Sequence, residues 1–334
     1  MAAMPMVLAV TSTLLSLGAA APPTTGTPTT LRSGGLAVQL DATSGAYVVS
    51  IDGRAWLSGG ATAITVGGAV LRQVAPPSKP TQGVDTWGAF EQVEMYWGGA
   101  AAGASRAAGA GRGAELVTSV RCYTRPGREM AVFAQRWPGG WRGAPAKPSR
   151  VVAPFPTFST AAPPGAGSTL NFLQWGGCQL ANSYGGRWTN ASAPPGGGFD
   201  GKFGCQLGIP TLLYDRRGRG AVISPAGNWL TAVHEVGDHS VGIGVSAAVR
   251  ELPVGFVHET MLLAGPSVNA TMRGLGDALL QKSRKPRPDP YGDFVLSHLG
   301  YWTDSELPPQ PPVARCVLPA AAAMLQRAIF KTVL

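Results

Sequence analysis

Residues 83–97, GVDTWGAFEQVEMYW, bring Asp85, Trp87, Glu91, Tyr96 and Trp97 into the densest polar and aromatic stretch of the chain. Sugars are held by aromatic faces against their C–H surfaces and by carboxylates and amides on their hydroxyls, so this combination suits a carbohydrate contact. Asp85, Trp87, Glu91 and Tyr96 are the candidate residues. The competing reading puts Trp87, Phe90 and Trp97 in the core or at an edge of a β-sandwich.

Hydrolysis of a glycoside asks for more, two carboxylates flanking one bond at roughly 5–9.5 Å from each other. The acidic candidates are Asp85, Glu91, Glu94, Asp200, Glu235 and Glu259, and spacing alone brings no two of them together. A mutarotase-like reaction needs a glutamate base and a histidine acid facing one pocket. The histidines are His234, His239, His258 and His298. Within His234-Glu235 and His258-Glu259 the neighbours project from opposite faces of a strand, so neither pair forms a local acid–base couple.

Other chemistries lack their motifs. No G-x-S-x-G elbow is present, and GGAAAGASRAAGAG has neither the lysine nor the strand-to-helix setting of a phosphate loop. Cys122, Cys178, Cys205 and Cys316 show no C-x-x-C spacing and no nearby histidine pair, which speaks against zinc or another metal. No cofactor is expected. Cys178 and Cys205 flank a glycine-rich loop and are the first candidates for a disulfide. Asn190 and Asn269 open two glycosylation sequons, NAS and NAT.

The elements that must position these residues read as strands. LAVQLD, AYVVSI and RAWL alternate in hydrophobicity, and Asp52-Gly53 between the last two is a type I′ hairpin signal. Similar runs follow at TAITV, AVLRQV, ELVTSVRCY, MAVFAQRW, LNFLQW, CQLGIPTLLYD, AVISP, NWLTAVHEV, VGIGVSAAV and VGFVHETMLLAG. With no amphipathic helix between them, they imply an all-β fold, a large antiparallel β-sandwich, rather than a barrel of alternating strands and helices. A charged fraction of 13% beside Gly 46 and Pro 29 fits a chain rich in turns. Helical character is confined to residues 272–285, a short linker helix, and to a C-terminal helix over 318–334.

Residues 1–21 are uncharged, apolar over 6–17 and end in Gly-Ala-Ala-Ala, the pattern of a secretory signal peptide. The mature chain is therefore expected to be secreted, without a transmembrane span. The net charge of +9 is spread along the chain except at DRRGRG and QKSRKPRP, read as a solvated hairpin turn and a basic linker. No nucleic-acid partner is expected.

Several of these pieces occur in a recognisable order: the Ser224-Pro225 strand end, the P-x-G-F-x-H-x-T strand at 253–260, a linker helix, and YGDFVLSHLGYWTD at 291–304. The order resembles a family of algal and protist proteins similar to glycoside hydrolases of the α-galactosidase and raffinose-synthase type. There a galactose-mutarotase-like supersandwich precedes a (β/α)8 barrel. The resemblance implies a supersandwich over 35–265 after a Pro/Thr-rich spacer at 22–34, a linker helix region at 266–290, and a vestigial barrel start and tail at 291–334. It also implies that residues 291–304 open a first barrel strand, with Trp302 and Asp304 at its C-terminal end, where such folds place substrate contacts. After Asp304 the chain continues SELPPQPP, where the family continues with Asn-Gly-Ala and a tyrosine-rich run. The expectation is a chain truncated before the barrel that carries the catalytic carboxylates. Its implied role is a non-catalytic N-terminal sandwich that binds carbohydrate or shapes access to it. The alternatives are a fragment of an active α-galactosidase-type enzyme and a structural surface sandwich with no sugar ligand.

Overall fold

The computed structural model describes residues 28–298, apart from 42–43, 61–62, 100–113, 144–149, 164–168, 176–182, 191–207, 238, 290 and 293. The chain divides into two units, Met1–Lys285 and Pro286–Leu334. The first begins with β1 (Thr29–Ser33), β2 (Leu36–Leu40), β3 (Tyr47–Ile51), β4 (Arg54–Gly59), β5 (Ala63–Val66), β6 (Ala69–Ala75) and β7 (Thr81–Asp85). It continues with β8 (Gly88–Gly98), β9 (Leu116–Tyr123), β10 (Glu129–Trp137), β11 (Trp141–Arg142), β12 (Thr157–Ser159), β13 (Asn171–Trp175) and β14 (Ser183–Arg187). Then come β15 (Thr211–Tyr214), β16 (Gly220–Pro225), β17 (Ala232–Gly237), β18 (Ser240–Val245), β19 (Glu251–Leu252), β20 (Phe256–Gly265) and a helix, α1 (Val268–Ser283).

The fold is all-β, as the alternating runs imply. A seven-stranded sheet, β1-β2-β3-β4-β12-β18-β17, faces an eleven-stranded one, β14-β13-β15-β16-β20-β10-β9-β8-β6-β5, in which β7 pairs with β8 off the main path. Every paired strand named here is antiparallel to its neighbour, for example β10 to both β9 and β20. Alternation decides which side chains go inside: Leu36, Val38 and Leu40 on β2 meet Tyr47, Val49 and Ile51 on β3, all buried. The turn between β3 and β4 has Asp52 at φ 51° and Gly53 at φ 74°, the two positive angles a type I′ turn demands.

One hydrophobic core lies between the sheets, with Leu31, Val49 and Phe158 from the smaller and Trp97, Phe133 and Leu262 from the larger. A second core lies on the outer face of the large sheet, where Leu275 and Ala278 of α1 cover Met130, Val132, Met261 and Leu263. The Ser267 hydroxyl caps α1 by accepting from the Ala270 N–H, and Arg284 ends it in a left-handed conformation. Gly220 and Gly265, opposite each other on β16 and β20, let the helix approach: a Cβ on either would lie 2.6–2.7 Å from the Thr271 hydroxyl. Burial of Leu275 alone contributes roughly 2 kcal/mol to holding the helix there.

One boundary shifts. The spacer over 22–34 includes β1, because TTLRS buries Leu31 and Ser33 and pairs in full register with β2. In the second unit, Phe294–Ser297 form one helical turn, α2, and residues 299–304, where the first barrel strand is expected, lie outside the described residues. The bonding of α2 is local, with the His298 N–H donating to Phe294 O and the His298 ring stacked on Phe294 at 4.2 Å. Tyr291 and Phe294 are exposed. The C-terminal helix expected over 318–334 lies outside the described residues, as does the signal peptide over 1–21.

Candidate functional site

Residues 81–98 form a hairpin, β7 to β8, closed by Thr86 and Trp87. Asp85 shapes the turn by accepting the Trp87 N–H at 2.8 Å, and Gly88 supplies a φ of 121°. In the hairpin Gln82 pairs with Glu91 and Val84 with Ala89, so these four share one face, while Gly83 and Phe90 share the other. Strand alternation therefore divides the stretch that looked continuous in the sequence.

On the outer face Asp85 belongs to an ion-pair network. Its carboxylate accepts from the Tyr123 hydroxyl at 2.6 Å and from Arg121 at 3.4 Å. Arg121 also donates to Glu259 at 3.0 Å, and Glu259 accepts from Lys282 in the last turn of α1. The two cations lie over aromatic rings, Arg121 above Phe90 at 5.4 Å and Lys282 above Trp87 at 4.8 Å. Burial alone raises the Glu259 carboxyl, but Lys282 and then Arg121 outweigh it and hold the group below the usual carboxylate range. Burial, reinforced by the bond to Asp85, pushes the Tyr123 phenol up. At neutral pH Glu259 is therefore a carboxylate held by two cations, not a proton donor.

Trp87 is 1% exposed. Its indole N–H donates to Ala278 O of α1 at 2.8 Å, and Gln281 of the same helix donates to Thr86 O at 2.6 Å. The expected role of Trp87 as a sugar platform is thus corrected: its ring packs under the helix that covers the sheet. Tyr96 is also buried, and its hydroxyl donates to Glu94, which pairs with Arg136 at 3.4 Å.

Glu91 projects from the opposite face to Asp85, Glu94 and Glu259. Its carboxylate forms no ion pair or hydrogen bond among the described residues. It lines a cavity of about 370 Å³ with Gln82, Gly83, Val84, Ala89, Phe90 and Thr124. Val84 is 79% exposed, which leaves this groove open at its flank.

The remaining candidates do other work or fall elsewhere. Glu235 accepts the backbone N–H groups of Arg150 and Val151. His258 is wholly buried between the sheets while Glu259 faces α1, as their adjacency on one strand dictates. Asn269 is exposed in the first turn of α1, and Asn190 closes a short 3-10 turn. In DRRGRG, Asp215 braces a tight turn through the N–H groups of Arg217 and Arg219, and the Arg219 side chain pairs with Asp52 and Glu129. Trp302, Asp304, Cys178, Cys205 and Asp200 lie outside the described residues. Among the described residues no cluster of three metal-ligating side chains occurs, and no helix is long and apolar enough to cross a membrane.

Sequence reasoning missed Gln82, Arg121, Tyr123 and Lys282. For Gln82 a signal existed: the D-T-W-G turn sets a register that places it opposite Glu91. Arg121, Tyr123 and Lys282 reach Asp85 and Glu259 only through pairing of distant strands and docking of α1, which no local pattern encodes.

No protein-family model and no curated protein matches the chain. Solved structures do. An α-N-acetylgalactosaminidase from Bifidobacterium bifidum, NagBb in its Gal-NHAc-DNJ complex, is 13% identical, with a TM-score of 0.48, over 76% of this chain and 39% of its own. The GH36 α-galactosidase AgaA from Geobacillus stearothermophilus in complex with stachyose is 10% identical, with a TM-score of 0.38, over 75% of this chain and 42% of its own. AgaB, a GH36 α-galactosidase from the same organism, is 11% identical, with a TM-score of 0.35, over 71% of this chain and 40% of its own. The chain thus spans about two fifths of the length of the structures it matches.

Proposed function

We propose that residues 28–285 are the carbohydrate-contacting sandwich of a secreted, glycoside-hydrolase-like protein, and that the contact is made in the groove lined by the β7–β8 hairpin and Thr124. The observation that carries this reading is the pairing of Glu91 with Gln82 across the hairpin, beside a cavity of about 370 Å³. A carboxylate and an amide side by side can take adjacent sugar hydroxyls in a bidentate manner, and Val84 and Ala89 on the same face offer an apolar wall to the C–H face. The volume lies in the range of small-molecule sites. The resemblance of residues 253–260 and 291–304 to the glycoside-hydrolase-like family supports the same reading.

The role proposed is binding rather than bond cleavage. Asp85 and Glu259 are locked to Arg121, and Glu91 stands on the other face, so these carboxylates do not flank a common bond. The test is retention of the purified full chain on immobilised galactose-, glucose- and mannose-based polysaccharides, followed by titration with oligosaccharides from any that retain it. Glu91→Gln combined with Gln82→Ala is expected to weaken binding at least tenfold. Equal binding by the double variant would remove the site from the groove, and no retention by any polysaccharide would remove the carbohydrate reading.

A further inference from the structure

The inner face of the large sheet contains a row of polar side chains that the function above does not use. Gln135 on β10 stands directly opposite His258 on β20, Trp137 follows Gln135 two residues along, and Thr260 follows His258. All four point between the sheets and are 0–1% exposed. Five of their polar atoms have no hydrogen-bond partner among the described residues: Gln135 Oε1, Trp137 Nε1, His258 Nδ1, His258 Nε2 and Thr260 Oγ1.

The orientation of Gln135 is not arbitrary. Its Nε2 donates to Phe155 O at 2.6 Å and to Ile243 O at 3.4 Å, and since both partners are acceptors the amide oxygen must point away from them. The histidine ring, in either tautomer, presents one donor and one acceptor. Taken together the row offers donors from Trp137, His258 and Thr260 and acceptors from Gln135, His258 and Thr260. Positions two apart on a strand are about 6.7 Å from each other and opposite positions about 5 Å, distances that a molecule bonded on both sides at about 2.8 Å can bridge.

Unpaired buried polar atoms are costly, and five on two neighbouring strands would be an unusual burden for a native core. The near-zero exposure also restricts the guest, because a sugar or a cofactor would need an opening. We propose that the inner face at β10 and β20 encloses a cluster of about two to three ordered water molecules, bonded to Gln135, His258, Thr260 and Trp137. These waters are trapped as the sheets close and bridge β10 to β20 on the side away from α1. The row contains no formal charge while His258 is neutral, and burial pulls that imidazole down to about 4.

Thr260→Val, nearly isosteric, separates the alternatives. In a hydrated site the hydroxyl is bonded, so the variant loses a bond and strands a water, and its thermal midpoint falls by a few degrees. In a dry site the hydroxyl is a burden, and the same variant melts higher than the parent. A crystal structure of the full chain at a resolution that shows bound water supplies the second measurement. Density for water within about 3.2 Å of at least two of the five atoms is the expected result. A raised midpoint, an empty inter-sheet space, or density too large for water would each overturn the proposal.

Discussion

On the outer face of the large sheet, Asp85, Arg121, Glu259 and Lys282 are charged and each lies against an opposite charge. On the inner face, Gln135, His258 and Thr260 are neutral and lack partners among the described residues for several atoms. Their depth explains the contrast. The outer side chains keep 17–30% of their surface in solvent, enough to retain part of their hydration while α1 aligns them. The inner ones keep essentially none, where an ion without a partner would cost several kcal/mol. The same strand, β20, serves both regimes through His258 and Glu259, which differ only in the direction that the pleat assigns them.

The comparison is broken most severely at Glu259. Glu259→Ala leaves Arg121 and Lys282 facing each other without their shared anion, and should cost about 3 kcal/mol, read as a lower urea midpoint at neutral pH. A loss well under 1 kcal/mol would mean that the outer network behaves as a solvated surface pair.

Acid sharpens the contrast from the inner side. The unfolded chain takes up a proton at His258 near pH 6.5, the folded chain only near pH 4, so stability falls as pH drops between these values and this contribution then levels off. The full effect is about 3 kcal/mol, with Glu259 on the neighbouring position favouring the imidazolium and Lys282 opposing it. Glu259 responds in a different window: its carboxyl is held below the usual range, so its contribution is present above pH 4.5 and lost below it. Urea titrations of the parent and of His258→Leu at several pH values should show the first slope only in the parent.

A smaller effect is expected at Trp87, where the outer core under α1 meets the hairpin. Trp87→Phe keeps the ring but removes the bond to Ala278 O and weakens the contact with Lys282, for a loss of about 1 kcal/mol. Carbohydrate retention by this variant should equal that of the parent, since the ring lies beneath α1 and not in the groove.

Much of the fold was legible because its signals are local. Alternation in LAVQL and YVVSI, and the Asp52-Gly53 turn, require no knowledge of the rest of the chain. Strand β1 escaped because TTLRS has a single large apolar residue and follows a Pro/Thr-rich run, so its identity as a strand rests on pairing with β2. Residues 294–298 show the opposite case: FVLSH has strand-like composition, but the His298 N–H bonds back to Phe294 O within one helical turn. The candidate site was legible as a stretch and illegible as a geometry. Glu91 lies in the groove, whereas Asp85 became a turn-former and ion-pair partner and Trp87 and Tyr96 became core, because pleat and helix docking sort neighbours in sequence onto different surfaces.

Cys122 illustrates what that sorting does to reactivity. It sits on β9 between Glu91 and Ala131, wholly buried, and burial followed by the charge of Glu91 pushes its thiol up to about 12. A thiol in that state is almost never a thiolate and has no path to a reagent. Its alkylation is therefore timed by the opening of the sandwich rather than by sulfur chemistry, so the central strand has a clock for its own unfolding built into it.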